Sequence, residues 1–168
     1  YDFLYTKKNY SKEFNLIKKI IKKNLLNPTS LLDLGCGTAQ YSNLMTKLKL
    51  NVVGVDRSDD MLKIAKKKYS KNKKLSFIKS NIEKVNLKKN FDIISALFHI
   101  LSYHTTKKQI DKFFSNSHNH LKKGGILIFD FWYKDGVYSL QSPLRVREVE
   151  NNLYKIVRTT TSKWFKKI

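Results

Sequence analysis

The chain has 168 residues, which suffices for one domain with a sizeable core and is too short for two ordinary domains. Its hydrophobic content of 41%, with ten Phe and nine Tyr, excludes a disordered polymer. No apolar run approaches the ~18 residues of a membrane span and no signal-peptide layout is present, so we predict no membrane association. The single cysteine, Cys36, suits a cytoplasmic protein, and the start at Tyr1 rather than Met predicts a fragment of a longer chain.

The net charge of +21 raises nucleic-acid binding as a hypothesis. Only four of the 34 basic residues are Arg, however, and Arg is the residue that makes bidentate contacts to phosphate and guanine. The lysines are spread along the whole chain, and their densest run, 63–74, falls at the end of a predicted helix and in its exit loop. We therefore interpret the charge as a solvated surface and do not expect nucleic acid as the partner.

Helical and strand-like patterns alternate over the first 131 residues. They predict, in chain order, helix 13–26, strand 31–34, helix 39–48, strand 51–55, helix 59–69, strands 75–79 and 91–96, helix 106–121 and strand 126–131. Gly124-Gly125 is expected to separate the last helix from the last strand. This alternation predicts an α/β fold with a doubly wound, mainly parallel sheet and helices on both faces.

After residue 131 the pattern becomes that of two alternating strands. Leu144–Glu150 and Leu153–Thr161 flank Asn151-Asn152, which predicts an antiparallel β-hairpin closed by a two-residue turn. We therefore divide the chain into a core, residues 1–133, and a hairpin extension of the same domain, residues 134–168, which we expect to be truncated.

The strongest local signal is the run LLDLGCGTA at Leu31–Ala39. A strand that leads into close glycines and then a helix lets the backbone approach a ligand, and Gly35 and Gly37 can take positive φ there. Gln40 stands where a dinucleotide-binding pattern has a third Gly, which argues against NAD and an oxidoreductase. Asp56 ends the second strand 21 residues after Gly35, a spacing at which an acid accepts hydrogen bonds from ribose hydroxyls. Together these features predict nucleoside binding.

These segments resemble the motifs of the class I S-adenosylmethionine-dependent methyltransferases, over roughly residues 1–133. Residues 31–39 are similar to the first motif, 53–65 to the second, 91–99 to the fourth and 121–128 to the turn before the fifth strand. Asn81 stands where the family usually has an Asp beside adenine, and its amide oxygen can accept the same hydrogen bond.

The resemblance implies a Rossmann-like fold, S-adenosylmethionine as cofactor and S-adenosylhomocysteine as product. On this basis the predicted cofactor-binding residues are Tyr10, Asp33, Gly35, Cys36, Gly37, Asp56, Arg57, Met61, Asn81, Ile82 and Leu97.

Two further segments indicate a subgroup. The opening YDFLY with Lys8, Tyr10 and Glu13, and the run FDFWY at 129–133 with the hairpin that follows, are similar to small-molecule methyltransferases that modify amino sugars or small amines. In that subgroup added strands help to cover the acceptor. The resemblance implies a small-molecule acceptor, with the amine of an amino sugar as the leading hypothesis.

Three side chains after the fourth strand are candidates for the acceptor side of the site: His99, Tyr103 and His104. We prefer His104 as base or acceptor-orienting group, with Tyr103 next, and the alternative that each only packs or faces solvent stays open. Orientation alone can supply ~7 kcal/mol of such a barrier, so the base need not be strong. We interpret His118 and His120 as surface residues and predict no metal site.

Two other functions stay open. An RNA or other macromolecule methyltransferase would share the core, but the run SALF at 95–98 lacks the prolines of enzymes that methylate exocyclic base amines. A catalytically silent cofactor-binding subunit is the second, and the intact Gly35, Gly37 and Asp56 argue against it. The acceptor, the choice of nitrogen or oxygen, and a homodimeric assembly are all left open by the sequence.

Overall fold

A computed structural model describes residues 10–133, 144–150, 153 and 155–161 of the chain. The N-terminal segment 1–9 and the predicted turn residues Asn151 and Asn152 lie outside the described residues. The chain divides into two compact units, one formed by Tyr10–Phe131 and the other containing Trp132–Ile168.

The larger unit alternates helices and strands around one sheet. The strand order is β3-β2-β1-β4-β5 and every pair is parallel, so the predicted doubly wound α/β sheet is confirmed. In chain order its elements are α1 Tyr10–Asn24, β1 Ser30–Leu34, α2 Gln40–Thr46, β2 Asn51–Asp56, α3 Asp59–Lys68, β3 Leu75–Lys79, β4 Phe91–Ala96, a 3₁₀ turn Ile100–Tyr103, α4 Lys107–His120 and β5 Leu121–Phe129.

Strand β1 is buried on both faces, and alternate residues enter different hydrophobic clusters. Leu31 packs with Ile17 and Ile21 of α1, whereas Leu32 packs with Phe113 of α4 on the other face. Successive side chains of a strand point to opposite faces, so the continuous apolar run is what a strand covered by helices on both sides requires.

Helices α3 and α4 begin where the sequence supplies capping side chains. Ser58 accepts a hydrogen bond from the Met61 N–H and starts α3, as predicted, with acidic residues in the first turn and lysines in the last. Thr106 and Gln109 form a reciprocal capping box at the start of α4.

Strand β5 begins five residues earlier than predicted, at Leu121. It pairs from there with Phe91, and the register then shifts before pairing resumes at residue 126. Gly124 takes φ +78°, and a Cβ on Gly125 would lie 2.9 Å from the Asp92 carbonyl oxygen. The two glycines therefore serve an irregularity within the strand rather than a break after the helix.

The prediction that His120 lies on the surface is wrong, because its residue is only 5% exposed. Its Nε2 accepts the Leu87 N–H at 3.1 Å, and its Nδ1 lies 2.8 Å from the Asn116 carbonyl oxygen. A helix brings residues 113, 117 and 120 to one face, and all three are buried. His118 is exposed, as predicted.

The described part of the smaller unit contains strands β6, Leu144–Glu150, and β7, Lys155–Thr161. They pair antiparallel, from Leu144 with Thr161 to Glu150 with Lys155, which confirms the hairpin. The predicted two-residue turn between them falls on residues outside the described ones, so its length stays a prediction. Among the described residues, no helix has both the length and the apolar character that crossing a membrane requires.

Candidate functional site

The loops that follow β1, β2, β3 and β4 meet at one edge of the sheet, because the strands are parallel. The N–H groups of Gly35 and Cys36 donate to the Val55 carbonyl oxygen at 2.8 and 3.0 Å, and Ser80 N–H donates to the Asp56 carbonyl oxygen at 3.0 Å. The strand order changes direction between β1 and β4, the position at which open α/β sheets bind ligands.

Gly37 and Asp56 form the centre of this edge. The Asp56 Oδ2 accepts the Gly37 N–H at 2.8 Å, and its Oδ1 accepts the Ser58 N–H at 2.8 Å. A carboxylate has about four acceptor positions, so two backbone bonds hold it in place and leave capacity for a ligand's hydroxyls. A Cβ added to Gly37 would meet nothing within 4 Å, which leaves open space beside the carboxylate.

Gly35 has a second reason to be glycine, which the sequence did not reveal. It takes φ +74°, and a Cβ there would lie 2.7 Å from Ile100 Cγ1 and still closer to Cδ1. Ile100 belongs to the 3₁₀ turn after β4 and packs on the core cluster around Leu32. The glycine loop and the segment after β4 are therefore in direct contact.

Asp33 is a buried acid beneath the glycine loop, only 3% exposed. Its two oxygens accept hydrogen bonds from Ser42 Oγ at 2.5 Å and Ser95 Oγ at 2.8 Å. Burial raises the pKa of Asp33 to about 6, the two serine bonds oppose the rise, and the charge of Asp56 adds to it. An acid in such surroundings favours a cationic ligand, which would relieve the cost of its ionisation.

The stability of an Asp33→Asn variant relative to the wild type is expected to increase by ~2 kcal/mol between about pH 4 and about pH 8. The folded-state pKa of about 6 lies above the ordinary value of 3.8, so the folded chain holds an extra proton between these values. Stability therefore falls as pH rises through this window in the wild type and not in the variant. Urea unfolding of the cofactor-free chain at both pH values measures the change. A difference in unfolding free energy between variant and wild type that stays the same at both pH values would contradict the prediction. Replacement of the exposed Asp60 by Asn is the control.

Cys36 packs inward rather than facing a substrate. Its Sγ lies against Gly54, where an added Cβ would come within 2.8 Å of the sulfur. Burial raises the pKa of the Cys36 thiol far above its ordinary range, and the charges of Asp33 and Asp56 raise it further. The thiol is protonated and is not a nucleophile. Gly54 is thus required for packing, a role that its place within β2 did not reveal.

Asn81 and Ile82 follow β3 at the same edge. Asn81 Oδ1 accepts the Glu83 N–H at 2.9 Å, so the oxygen expected to face adenine already accepts one backbone bond and retains one lone pair. Ile82 packs against the core, and its carbonyl oxygen accepts from Asn116 Nδ2 at 2.6 Å. These contacts fix the loop that follows β3.

The other predicted cofactor residues are distributed around this edge. Arg57 is exposed, and Met61 is half-buried in the first turn of α3. Leu97 packs on the cluster beneath α1 and α2. Tyr10 stands at the start of α1 with its ring edge-on to Tyr41 of α2, at a centroid distance of 5.3 Å.

Two of the three acceptor-side candidates have contrasting surroundings. The His104 side chain is 7% exposed, its Nε2 lies 3.7 Å from Glu83 Oε1, and its ring packs against Phe113 at 5.5 Å. Tyr103, by contrast, is 73% exposed. Their catalytic roles stay predictions.

The third candidate, His99, is held by a residue that the sequence interpretation missed. Asp130 follows β5, and its Oδ1 accepts the His99 backbone N–H at 2.6 Å. Its Oδ2 lies 3.7 Å from the His99 ring Nδ1. Because β4 and β5 are adjacent and parallel, their ends adjoin, so an acid directly after β5 could have been expected near the segment after β4.

A protein family described as a methyltransferase domain matches residues 31–125, more than half of the chain. This chain belongs to that methyltransferase family. The matched region contains the glycine loop, Asp56 and strands β1 to β4, which are the parts that form the candidate site. The predicted family, the S-adenosylmethionine-dependent methyltransferases of class I, is confirmed, and with it the cofactor that this family uses.

Among three similar proteins, one is named as an O-methyltransferase and two as sugar N-methyltransferases. The chain is 36% identical over 124 residues to the ubiquinone biosynthesis O-methyltransferase of Pelagibacter ubique, covering 73% of this chain and 49% of the relative. It is 24% identical over 135 residues to the dTDP-3-amino-3,4,6-trideoxy-alpha-D-glucopyranose N,N-dimethyltransferase of Streptomyces venezuelae, covering 79% and 56%. The X-ray structure of the sugar N-methyltransferase KedS8 from Streptoalloteichus shares the fold, with a TM-score of 0.85 at 21% identity, covering 96% of this chain and 64% of that one. The chain spans about half the length of the curated relatives it matches.

Proposed function

We propose that this chain binds S-adenosylmethionine and takes part in methyl transfer to a small molecule, with the amine of an amino sugar as acceptor. The observation that carries the proposal is the pairing of Gly37 with Asp56: a carboxylate held by two backbone N–H groups beside open space above a glycine. That arrangement suits the ribose of a nucleoside, because vicinal hydroxyls donate two hydrogen bonds to one carboxylate.

The residues of the edge fit the cofactor in charge as well as in shape. Asp56 would take the ribose hydroxyls, and Asn81 and Ile82 would lie beside the adenine. Asp33, buried beneath the glycine loop, would complement the positive charge of the methionine end. When bound, S-adenosylmethionine supplies an electrophilic methyl group to a nucleophilic atom of the acceptor.

The amino-sugar acceptor is supported by the names of two curated relatives and by aromatic residues at the end of β5. Two curated relatives at 24% identity are named as N,N-dimethyltransferases of dTDP-linked amino sugars. Phe129 at the end of β5 and Phe131 shortly after it bring two aromatic rings, 6.2 Å apart, to the edge where the acceptor is expected. Even distribution of the lysines favours a small molecule over RNA as the partner.

A hydroxyl acceptor is the second candidate. The relative that is 36% identical to this chain is named as an O-methyltransferase. The amino-sugar enzymes are less similar, at 24% identity. Both acceptors need the same cofactor edge and differ only in the group that gives up a proton.

Titration of S-adenosylhomocysteine into the chain by calorimetry tests the proposal. We expect micromolar binding that Asp56→Ala weakens by ~1–3 kcal/mol, or about 5- to 150-fold, because a buried hydrogen-bonding partner is lost. The matched control is Asp60→Ala, because Asp60 is an exposed acid four residues further along the chain. This variant should bind S-adenosylhomocysteine as the wild type does.

Circular dichroism must show that all three proteins are folded. Binding that is unaffected by the loss of Asp56 would remove the proposed ribose contact. The absence of binding to any folded form would overturn the proposal that this chain holds the cofactor.

A further inference from the structure

The segment that follows β4 has a strained backbone. Phe98 and His99 take φ values of +70° and +64°, in the left-handed region that residues with a Cβ rarely adopt. Two such residues in succession persist only where the surrounding structure holds them, and strain of this kind clusters at functional sites. The contacts of this segment show which group holds it.

That group is the carboxylate of Asp130, which contacts His99 at two atoms. Oδ1 accepts the His99 backbone N–H at 2.6 Å, and Oδ2 lies 3.7 Å from the ring Nδ1. The carboxylate is placed by the sheet, because Phe129 pairs with Ala96 and the Asp130 N–H reaches the Ala96 carbonyl oxygen at 3.4 Å. One side chain therefore fixes the backbone of His99 and faces one of its ring nitrogens.

We propose that Asp130 is a positioning residue that orients His99, and that His99 Nε2 takes a proton from the methyl acceptor. This inference rests on the proposed function. The Nδ1 atom is buried, and a carboxylate beside it favours the tautomer with the proton on Nδ1 and the lone pair on Nε2. The separation of 3.7 Å exceeds a hydrogen bond, and such contacts in ligand-free sites often tighten when substrate binds.

The step is a simple proton transfer. The acceptor enters as its ammonium form: one N–H bond breaks and leaves its electron pair on the nitrogen, which becomes a neutral amine able to attack the methyl group, while Nε2 uses its lone pair to form a new N–H bond. The resulting imidazolium is stabilised by the negative charge of Asp130. The His99 side chain is one-third exposed, so the proton can pass to solvent afterwards. A hydroxyl acceptor would lose its proton in the same way.

His104, the base preferred from the sequence, has less suitable surroundings. Its side chain is nine-tenths buried against Phe113, and the acid near it, Glu83, follows β3 rather than β5. Each histidine has an acid 3.7 Å from one ring nitrogen, so the difference lies in exposure: the His99 side chain is 33% exposed, whereas that of His104 is 7% exposed and cannot readily pass a proton to solvent. The geometry therefore favours His99 over His104 for the proton-accepting role.

The tautomer of His99 tests the inference without an acceptor or activity. In ¹⁵N-histidine-labelled chain, at alkaline pH where imidazole is neutral, we expect long-range ¹H–¹⁵N spectra to show His99 protonated on Nδ1. Asp130→Asn should shift the proton to Nε2, because its oxygen can still accept the backbone N–H while its NH₂ group faces Nδ1 as a donor. A purely structural Asp130 would leave the tautomer unchanged.

His99→Gln assigns the signals, and the exposed Asp111→Asn is the matched control that should change nothing. Protonation of wild-type His99 on Nε2 would overturn the inference, and this measurement does not depend on any variant folding. A tautomer that Asp130→Asn leaves unchanged would overturn it as well. If His99 shows the expected tautomer but the chain does not bind S-adenosylhomocysteine, the result counts against the proposed function and not against the orientation of His99 by Asp130.

Turnover gives a second readout, with dTDP-3-amino-3,4,6-trideoxy-α-D-glucopyranose as the probe acceptor. His99→Gln should lower kcat by about 100-fold while the affinity for S-adenosylhomocysteine stays constant. A His99→Gln chain as fast as the wild type would overturn the proton-accepting role. No methylation of the probe by the wild type would count against the amino-sugar acceptor, and the tautomer would still decide the role of Asp130.

Discussion

Replacement of Gly35 by Ala is expected to destabilise the chain by ~3 kcal/mol or more. A left-handed backbone costs an L residue ~1–2 kcal/mol, and forcing a methyl group into a packed space costs a further ~1–3 kcal/mol. Here the new Cβ would overlap the Ile100 side chain at φ +74°. Urea unfolding, followed by circular dichroism, measures the loss.

Gly37→Ala is the matched control, because its φ is +54° and a Cβ there meets nothing within 4 Å. It should lose only the ~1–2 kcal/mol of backbone strain. In addition, Ile100→Ala should make the Gly35→Ala change cost ~1–2 kcal/mol less than in the wild type, because the overlap is gone. Equal losses at Gly35 and Gly37, with no coupling to Ile100, would show that the contact does not exist in solution.

Replacement of Asp92 by Asn is expected to cost ~3 kcal/mol of stability near neutral pH, because several hydrogen bonds to a charged group are weakened together. At the start of the sheet, its Oδ2 accepts from both N–H and hydroxyl groups of Thr29 and Ser30, at 2.7 to 3.1 Å. Its Oδ1 accepts from Lys122 Nζ at 2.9 Å. One carboxylate thus joins the beginnings of β1, β4 and β5.

The same prediction has a defined dependence on pH. Burial alone would raise the pKa of Asp92, but the bonds from Ser30, Lys122 and the backbone N–H groups outweigh it and hold the pKa well below its ordinary range. Because the pKa of Asp92 is lower in the folded than in the unfolded chain, its ionised carboxylate stabilises the fold at pH values above the unfolded-state pKa. That stabilisation is lost as the pH falls below the unfolded-state pKa and through the folded-state pKa. The gap between wild type and Asp92→Asn should therefore narrow below about pH 4.

Thermal unfolding at neutral and acid pH measures that gap. Asp60 is an exposed acid that pairs with the exposed Lys63, so Asp60→Asn should change stability by ~0.5 kcal/mol or less at either pH. If the stability difference between the wild type and Asp92→Asn is the same at both pH values, the negative charge of Asp92 is not what stabilises the fold.

Two long-range contacts of the site could not be predicted from the sequence. Ile100 approaches Gly35 and Gly54 approaches Cys36, across 65 and 18 residues of chain. Nothing in the local pattern around either partner shows such a contact. The burial of His120 could not be predicted for a related reason, because its hydrogen-bond partner Leu87 lies between β3 and β4 and not in the helix that contains His120.

The sequence by itself determined the parts of this protein that follow from local pattern and spacing. The apolar run at Leu31–Leu34 specified a strand buried on both faces, and the interval from Gly35 to Asp56 specified a ligand edge, because parallel strands bring their carboxyl ends together. Only the tertiary structure decided which side chains face each other across that edge. Strand order and register set those contacts, and both are fixed by the packing of the whole sheet rather than by neighbouring residues.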